Sequence, residues 1–567
     1  MTAYALLTGF GAPVQRALFM TAVFLVARLL LRERSVLNAL GAAALAELVW
    51  SPANLFDASF QMTFLAIVAI AGIAVPLGDR TFMPYARALH RLDELWLDPV
   101  LAPRLAQFRV MLRMWGDALA GVLGRWAYRL PALTLRLLLW SAELVLIGIV
   151  AEMVMALPMA MYFHRATIFA LPANMFTVPV VGLLAPTAVI MFCASLIAPW
   201  AATLPAAVTA LLLHGIAWAI GRVSHVQAAD LRIPAPVWWV AALAVAAWGF
   251  CTWAVRRSGT CALVAAITLP LVTVMILWPE PALISSGALE ITAIDVGQGD
   301  SVLMVGPDGR TMLIDAGGPV GSVTETASVA SAFDVGEEVV SPYLWSRRIR
   351  RLDVVALSHA HSDHMGGMPA VLRNFRPREL WVAVDPNSDA YRALISEAAE
   401  LGTTVRHMRA GDNVALGGTK VKVLAPEASY TNAGEPVNND SLVLRVEYGK
   451  ASALLEGDAE APSEQAMVAR GLAPVTLLKA GHHGSRTSTT QEFFRALTPK
   501  DAVVSVGKGN TFGHPRFEVI SRITAGGTRL YRTDEFGLTT FLLNRDGAIH
   551  EILGEKAFRS SEPQAEV

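Results

Sequence analysis

Hydrophobic positions fall into long unbroken runs before residue 280 and into short, strand-length runs after it. In the first part, apolar stretches able to cross about 30 Å of hydrocarbon recur at roughly 14–31, 36–50, 60–77, 137–158, 168–198, 205–221, 236–255 and 260–278. Each predicts a membrane-spanning helix. The fifth is long enough to be tilted, broken or partly re-entrant, and Pro172, Asn174, Pro179 and Pro186 interrupt it. Backbone groups freed at such a break are tolerated where they line a watery cavity, which makes Asn174 and Pro179 channel candidates; a kinked packing helix is the competing reading. Arg16 and Arg28 in the first run and Glu143 and Glu152 in the fourth are costly in lipid. They either line a pathway, with Arg16 a third channel candidate, or snorkel and pair.

Between the third and fourth runs, a polar linker at 79–136 mixes Arg, Asp and Glu with Leu, Trp and Val, as in LHRLDELWL. It predicts helices lying on the bilayer surface or a solvated helical hairpin. From residue 289 the runs shorten to LEITAIDV, DSVLMVGP, TMLIDAGG, LDVVALS, ASALLEGD and PVTLLKAG, with helical stretches such as MPAVLRNF and SEQAMVARGL between them. Strands and helices interleaved in this way predict a layered α/β domain over 289–555, after a helical membrane domain over 1–280. The polar tail 556–567 is expected to be disordered.

Composition agrees with two solvents, since 54% hydrophobic residues and a mean hydropathy of +0.46 exceed what a soluble domain carries. The formal net charge of −1 neither requires nor excludes a nucleic-acid partner. Cys193, Cys251 and Cys261 all lie in apolar segments, so no disulfide framework or cysteine metal cluster is expected. No secretory pattern follows Met1, and insertion is expected to rely on the spans themselves. Arginines orient those spans: Arg32 and Arg34, Arg80 through Arg136, and Arg256 with Arg257 are expected on the cytoplasmic side. Parity then puts the second domain outside, although Arg222 and Arg232 dissent.

The most informative string is LDVVALSHAHSDHMGGMPAVL. A buried strand ends at Ser358, and the turn after it presents His359, His361, Asp363 and His364 before a helix begins. Imidazole and carboxylate are the donors that zinc, manganese or iron take from a protein, and four on one tight loop can face one or two ions. Packing alone does not explain such a string.

His-x-His-x-Asp-His after an apolar strand resembles the metallo-β-lactamase fold, an αββα four-layer sandwich. The resemblance implies a metal-dependent hydrolase with two divalent ions, zinc or manganese. His359 and His361 would hold one ion and Asp363 and His364 the other, with Asp458 after the strand ASALL as the bridging carboxylate. A final histidine comes from KAGHHGS, where His482 is favoured over His483. Many relatives carry one more histidine before the bridging carboxylate, but 430–457 contains none. The first position is then weaker, or Asn439 or Asp440 stands in.

AIDVGQGDS (293–301), LIDAGG (313–318), KAGHHGSRTS (479–488) and SVGKGNTFGHP (505–515), in this order behind a polytopic region, resemble the ComEC family of DNA-internalization competence proteins. GFGAPVQRALFM and DASFQMTFLAIVAIAGI resemble the competence region of that family. The resemblance implies an inner-membrane conduit that admits one DNA strand, with an extracytoplasmic nuclease degrading the other. Asp363 would act with the activated water, and His483 or His514 would protonate the leaving oxygen. Asp295, Asp300 and Asp315 would support the ligands from behind. Lys479, Ser485, Arg486, Lys508 and Asn510 would contact phosphate. The resemblance also implies an N-terminal OB-like domain and further spans ahead of this region, either truncated away or supplied by a partner chain. Membrane lipid, a DNA receptor, a cytoplasmic ATP-driven translocase and a homo-oligomer are the implied partners; no Walker-type phosphate loop is present to drive transport from within. The rival readings are a tethered hydrolase of another ester and a channel with a non-catalytic DNA-binding domain.

Overall fold

The computed structural model describes residues 12–29, 36–224, 226, 230–319 and 333–553. The segment after Met1 and the tail 556–567 lie outside these residues. The chain divides into two compact units, Met1–Pro279 and Glu280–Val567.

The first unit is helical. Helices Ala12–Leu29, Val36–Trp50, Ala58–Arg80, Leu130–Pro158, Ala170–Ile197, Thr203–Ser224, Trp238–Ala254 and Gly259–Leu277 occupy the places of the eight apolar runs. Among the described residues, five helical stretches are long and apolar enough to cross a membrane, while Val36–Trp50 and Trp238–Ala254 are apolar but shorter. Where a helix start lacks partners for its first N–H groups, side chains supply them: Asp57 accepts from Phe60 N at 2.9 Å and Ser258 from Cys261 N at 3.2 Å.

The fifth run is not broken. Ala170–Ile197 is one continuous helix with Pro179 and Pro186 inside it, Asn174 is exposed on it, and none of its residues is buried. Irregularity lies elsewhere, in a π-helical turn at Met159–Phe163 after the fourth apolar helix and in the third helix, which widens to a π-helical turn at Val68–Ala74. A π turn leaves carbonyls without their usual partners. Arg256 supplies them, donating to Gly72 O at 2.9 Å and Ala71 O at 3.1 Å, while Arg80 Nε reaches Val255 O at 2.5 Å. The linker is folded: buried Arg109 donates to the carbonyls of Ala88, His90, Arg91 and Glu94 and pairs with Asp98 at 2.7 Å. One guanidinium thereby organises the chain ahead of helix Pro103–Leu123.

Arg16 is buried as well. Its Nε lies 3.1 Å from Glu47, its Nη1 donates to Ser59 at 2.7 Å, and Asp57 and the Phe60 ring complete its surroundings. This places it as a pin between helices, not as an open lining residue.

The second unit is a sandwich of two sheets covered by helices on both outer faces. One sheet has eight strands in the order Ile549–Leu553, Thr539–Leu543, Leu289–Ala293, Val302–Val305, Thr311–Ile314, Val354–Ala356, Glu379–Val382 and Thr404–His407. The other has seven, in the order Arg529–Arg532, Asp501–Val504, Leu477–Lys479, Ala451–Leu455, Val443–Tyr448, Thr419–Ala425 and Asn413–Leu416. Alternation along each strand separates the layers. Val302 and Met304 point between the sheets toward Val421, Leu444 and Ala453, while Leu303 and Val305 face outward to Val371, Leu372 and Phe375. On the far face, Leu454, Leu478 and Ala502 pack against Phe493, Leu497 and Ile523. The αββα architecture read from the sequence is the one observed.

Candidate functional site

The parallel strands Thr311–Ile314 and Val354–Ala356 of one sheet, and Ala451–Leu455, Leu477–Lys479 and Asp501–Val504 of the other, each lead through their C-terminal ends into the site: to Asp315, the 358–364 loop, Asp458, His483 and Ser505. The loops at these strand ends are knotted together by backbone hydrogen bonds. Asp300 N donates to Asp363 O at 3.2 Å, Gly317 N to Asp300 O at 2.8 Å, and Ala316 N to His364 O at 2.9 Å. Such approach leaves no space for side chains: a Cβ on Gly299 would meet Asp363 O at 2.4 Å, and one on Gly318 would meet Ser362 O at 2.0 Å. The strings DVGQGD, LIDAGG and HAHSDH are therefore parts of one frame.

Within that frame His359, Asp363, His364, Asp458 and His483 converge, and each belongs to at least one group of three donor residues whose atoms lie within 4.8 Å of one another. His364 Nε2 is 3.3 Å from Asp458 Oδ2, and His483 Nε2 is 3.4 Å from Asp363 Oδ2 and 3.7 Å from Asp458 Oδ2. His361 Nδ1 lies 2.9 Å from His359 Nε2. Asp315, held in the left-handed region at φ 59°, accepts from Ser358 N at 2.7 Å and sits 2.8 Å from His364 Nδ1. It fixes the ring so that Nε2 faces the centre. The Ser505 carbonyl does the same for His483, at 3.0 Å from Nδ1.

The electrostatics show an excess of buried negative groups. Burial resists ionisation of Asp458, yet the rings of His364 and His483 hold it well below the usual carboxylate range. Burial likewise opposes charging of His483, but Asp458 and Asp300 push it up to about 10. His364 is raised well above its ordinary value by Asp458, Asp315 and Asp363 against the same burial cost, and Asp363 falls to about 2 beside His364 and His483 despite its own burial. Four carboxylates gather here, Asp300, Asp315, Asp363 and Asp458, and Lys479 is ion-paired with Asp300. His364 Nε2, His483 Nε2, Asp300 Oδ1 and Asp458 Oδ1 are buried without hydrogen-bond partners. Unpartnered buried donor atoms from imidazole and carboxylate, aimed at one point, fit a divalent cation of the zinc, manganese or iron kind.

Several sequence expectations are corrected. Of the paired histidines, His483 enters the cluster, whereas His482 joins none of the three-donor groups, with Nε2 3.9 Å from Asp458 and Nδ1 3.4 Å from Glu460. Both stand at positive φ, 48° and 52°, and this backbone twist selects which ring points inward. Lys479 does not face solvent for phosphate; it is buried against Asp300. Ser485 is buried and turned to Thr487 at 3.0 Å, and the Asn510 side chain closes its own loop on Gly507 O and His514 O. Asp295 is exposed and caps Gly297 N at 3.2 Å, apart from the ligand cluster. Asn439 and Asp440 do not stand in for a histidine: Asn439 Oδ1 accepts from Glu460 N at 3.1 Å, and Asp440 is taken by Tyr430, Asn432 and Val437 N. Arg486 and Lys508 remain exposed, and His514 lies beside His482 with ring centroids 5.7 Å apart. Burial, with His482 and His483 adding to it, lowers His514 to about 4. Ser441, which the sequence did not single out, accepts from Asp458 N at 3.0 Å.

Residues 1–258 match the family described as Competence protein, and residues 294–508 match the Metallo-beta-lactamase superfamily. The chain is 26% identical to ComE operon protein 3 of Bacillus subtilis (strain 168) over 94% of its own length and 62% of that protein. It is 33% identical to Competence protein ComA of Neisseria gonorrhoeae, over 47% of this chain and 34% of that one. Recombination protein 2 of Haemophilus influenzae is 32% identical over 42% of this chain and 27% of its own length. The chain thus spans less than two thirds of each of these relatives.

Proposed function

Because the chain belongs to the ComEC family of competence proteins, a competence region followed by a metallo-β-lactamase-fold domain, we propose that it serves DNA uptake through the bacterial inner membrane. In this reading the helical unit forms the path for one strand, and the sandwich, on the outer side, is a metal-dependent nuclease that degrades the other. The observation that carries the enzymatic part is the convergence of unpartnered His364 Nε2, His483 Nε2 and Asp458 Oδ1 in a buried centre.

His359, His361, Asp363, His364, Asp458 and His483 would hold the ions. Divalent ions bound there would supply Lewis-acid activation of water and electrostatic stabilisation of a phosphate. Asp315 and the Ser505 carbonyl hold the His364 and His483 rings in place through their Nδ1 atoms. His514, with its pKa lowered to about 4, is neutral at pH 7 and enters as a hydrogen-bond acceptor more readily than as an acid. Arg486 and Lys508, both exposed, are the cations left to meet the backbone of a single strand. Transport partners follow from the family: a DNA receptor outside, an ATP-driven translocase inside, membrane lipid around the helices and a homo-oligomer.

Purified full chain loaded with manganese or zinc is expected to cut single- or double-stranded DNA, with cutting lost in Asp363→Ala and Asp458→Ala. Retained metal with intact DNA and cleavage of another ester would move the reading to a tethered hydrolase. Retained metal with no turnover would make the sandwich a binding module.

A further inference from the structure

The donors of the centre are shared unevenly between its two sides. On one side, Asp363, His364 and His483 form a group of three within 4.8 Å, and Asp458 adds a carboxylate oxygen 3.3 Å from His364 Nε2 and 3.7 Å from His483 Nε2. Both of these ring nitrogens lack a hydrogen-bond partner, and each ring is anchored from behind, His364 by Asp315 and His483 by Ser505 O. Three oriented donors with a fourth carboxylate beside two of them are a set that a divalent ion can take.

The other side is poorer: among the described residues, His359 enters a group of three only with His364 and Asp458, both of which also serve the first side. His359 Nε2 and His361 Nδ1 face each other at 2.9 Å, and the remaining nitrogen of His361 is 3.1 Å from the Pro436 carbonyl. Among the described residues, His361 enters no three-donor group. The neighbouring loop offers no replacement, since its polar side chains are used to close the loop on itself. Asp440 accepts from Tyr430 Oη at 2.9 Å and from Asn432 Nδ2 at 2.8 Å; Asn439 accepts from Glu460 N at 3.1 Å; Asn438 donates to Glu460 Oε1 at 3.1 Å.

We propose that this centre holds one ion firmly, at Asp363, His364, Asp458 and His483, and a second loosely, at His359 and His361 with Asp458 shared from the first. The proposal rests on the metallohydrolase reading and adds to it an order of occupation. The second ion completes its shell with oxygens from outside the chain, and a phosphodiester is such a source. Ion and substrate then raise each other's affinity by the same factor.

The test is a titration of chelator-stripped full chain in detergent with manganese(II) alone, with the free aqueous ion counted by its electron paramagnetic resonance signal. One ion per chain is expected to bind first, and a second at least about 10-fold more weakly, the lower range for loss of a supporting interaction at a metal site. His361→Ala should keep the first step and lose the second. His483→Ala should lose the first, and Asp363→Asn, at a partly exposed position, gives the same reading if His483→Ala does not fold. Two steps of equal affinity, or a first step lost in His361→Ala and kept in Asp363→Asn, overturns the asymmetry and leaves the metallohydrolase reading standing. No uptake by the unaltered chain overturns both.

Discussion

Arg16 in the helical unit and His364 in the sandwich are both nearly excluded from solvent, at 2% and 0% exposure, and both face carboxylates. Their surroundings are finished differently. Arg16 meets Glu47, Ser59, Thr63 and Asp57, so its charge is answered within the chain. His364 has one nitrogen answered by Asp315, while the other points at Asp458 and finds no hydrogen-bond partner. Buried charge is costly unless compensated, so a closed network and an open one at similar depth mean different things. The closed one holds helices together. The open one is short of a cation that must come from outside.

The contrast can be broken in four ways. The largest effect should follow Asp458→Ala, which takes a carboxylate from both sides of the open centre: the metal-dependent DNA cleavage proposed for the full chain should fall by more than about 100-fold, beyond what loss of a merely supporting residue costs. Arg16→Ala should act on stability alone. It leaves the partly buried Glu47 carboxylate with Asn54 as its remaining partner, a cost of about 1–3 kcal/mol, visible as a lowered unfolding midpoint in detergent while metal uptake by the sandwich is unchanged. An Arg16→Ala chain that keeps its midpoint would mean the closed network is dispensable. Asp315→Asn should sit between structure and chemistry, weakening manganese binding by about 10–100-fold through the freed His364 ring, with circular dichroism unaltered. The smallest change belongs to Lys508→Gln: single-strand affinity should keep its magnitude within a few-fold, but the slope of log affinity against log salt should drop by about 0.7 if the lysine neutralises one phosphate.

How much of this was legible beforehand depended on whether the information was local. The eight apolar runs each became a helix because lipid-length hydropathy is a property of consecutive residues. HAHSDH was readable for the same reason, since one turn carries four donors. His482 and His483 were not separable, because adjacency in sequence says nothing of two successive left-handed residues that swing the second ring inward. Lys479 read as a phosphate contact because a lysine at a strand end is usually solvated; its partner Asp300 is 179 positions away and visible only once both sheets are assembled. The fifth run, readable either as broken or as a kinked packing helix, is one helix through Pro179 and Pro186, whereas the turn at Val68–Ala74, which contains no proline, departs from the α-helix.

That turn has a consequence for insertions and deletions. A π turn accommodates an extra residue in what would otherwise be an α-helix, and one residue corresponds to about 100° of rotation about the axis. Removing a single residue between Val68 and Ala74 would let the helix run on regularly, and everything after it would turn by that angle. Arg80 would swing away from Val255 O, and Arg256 would lose the two carbonyls it now serves. A one-residue deletion here is therefore a change of facing more than a change of length, and the third and seventh apolar helices can tolerate it only if both arginines are replaced along with it.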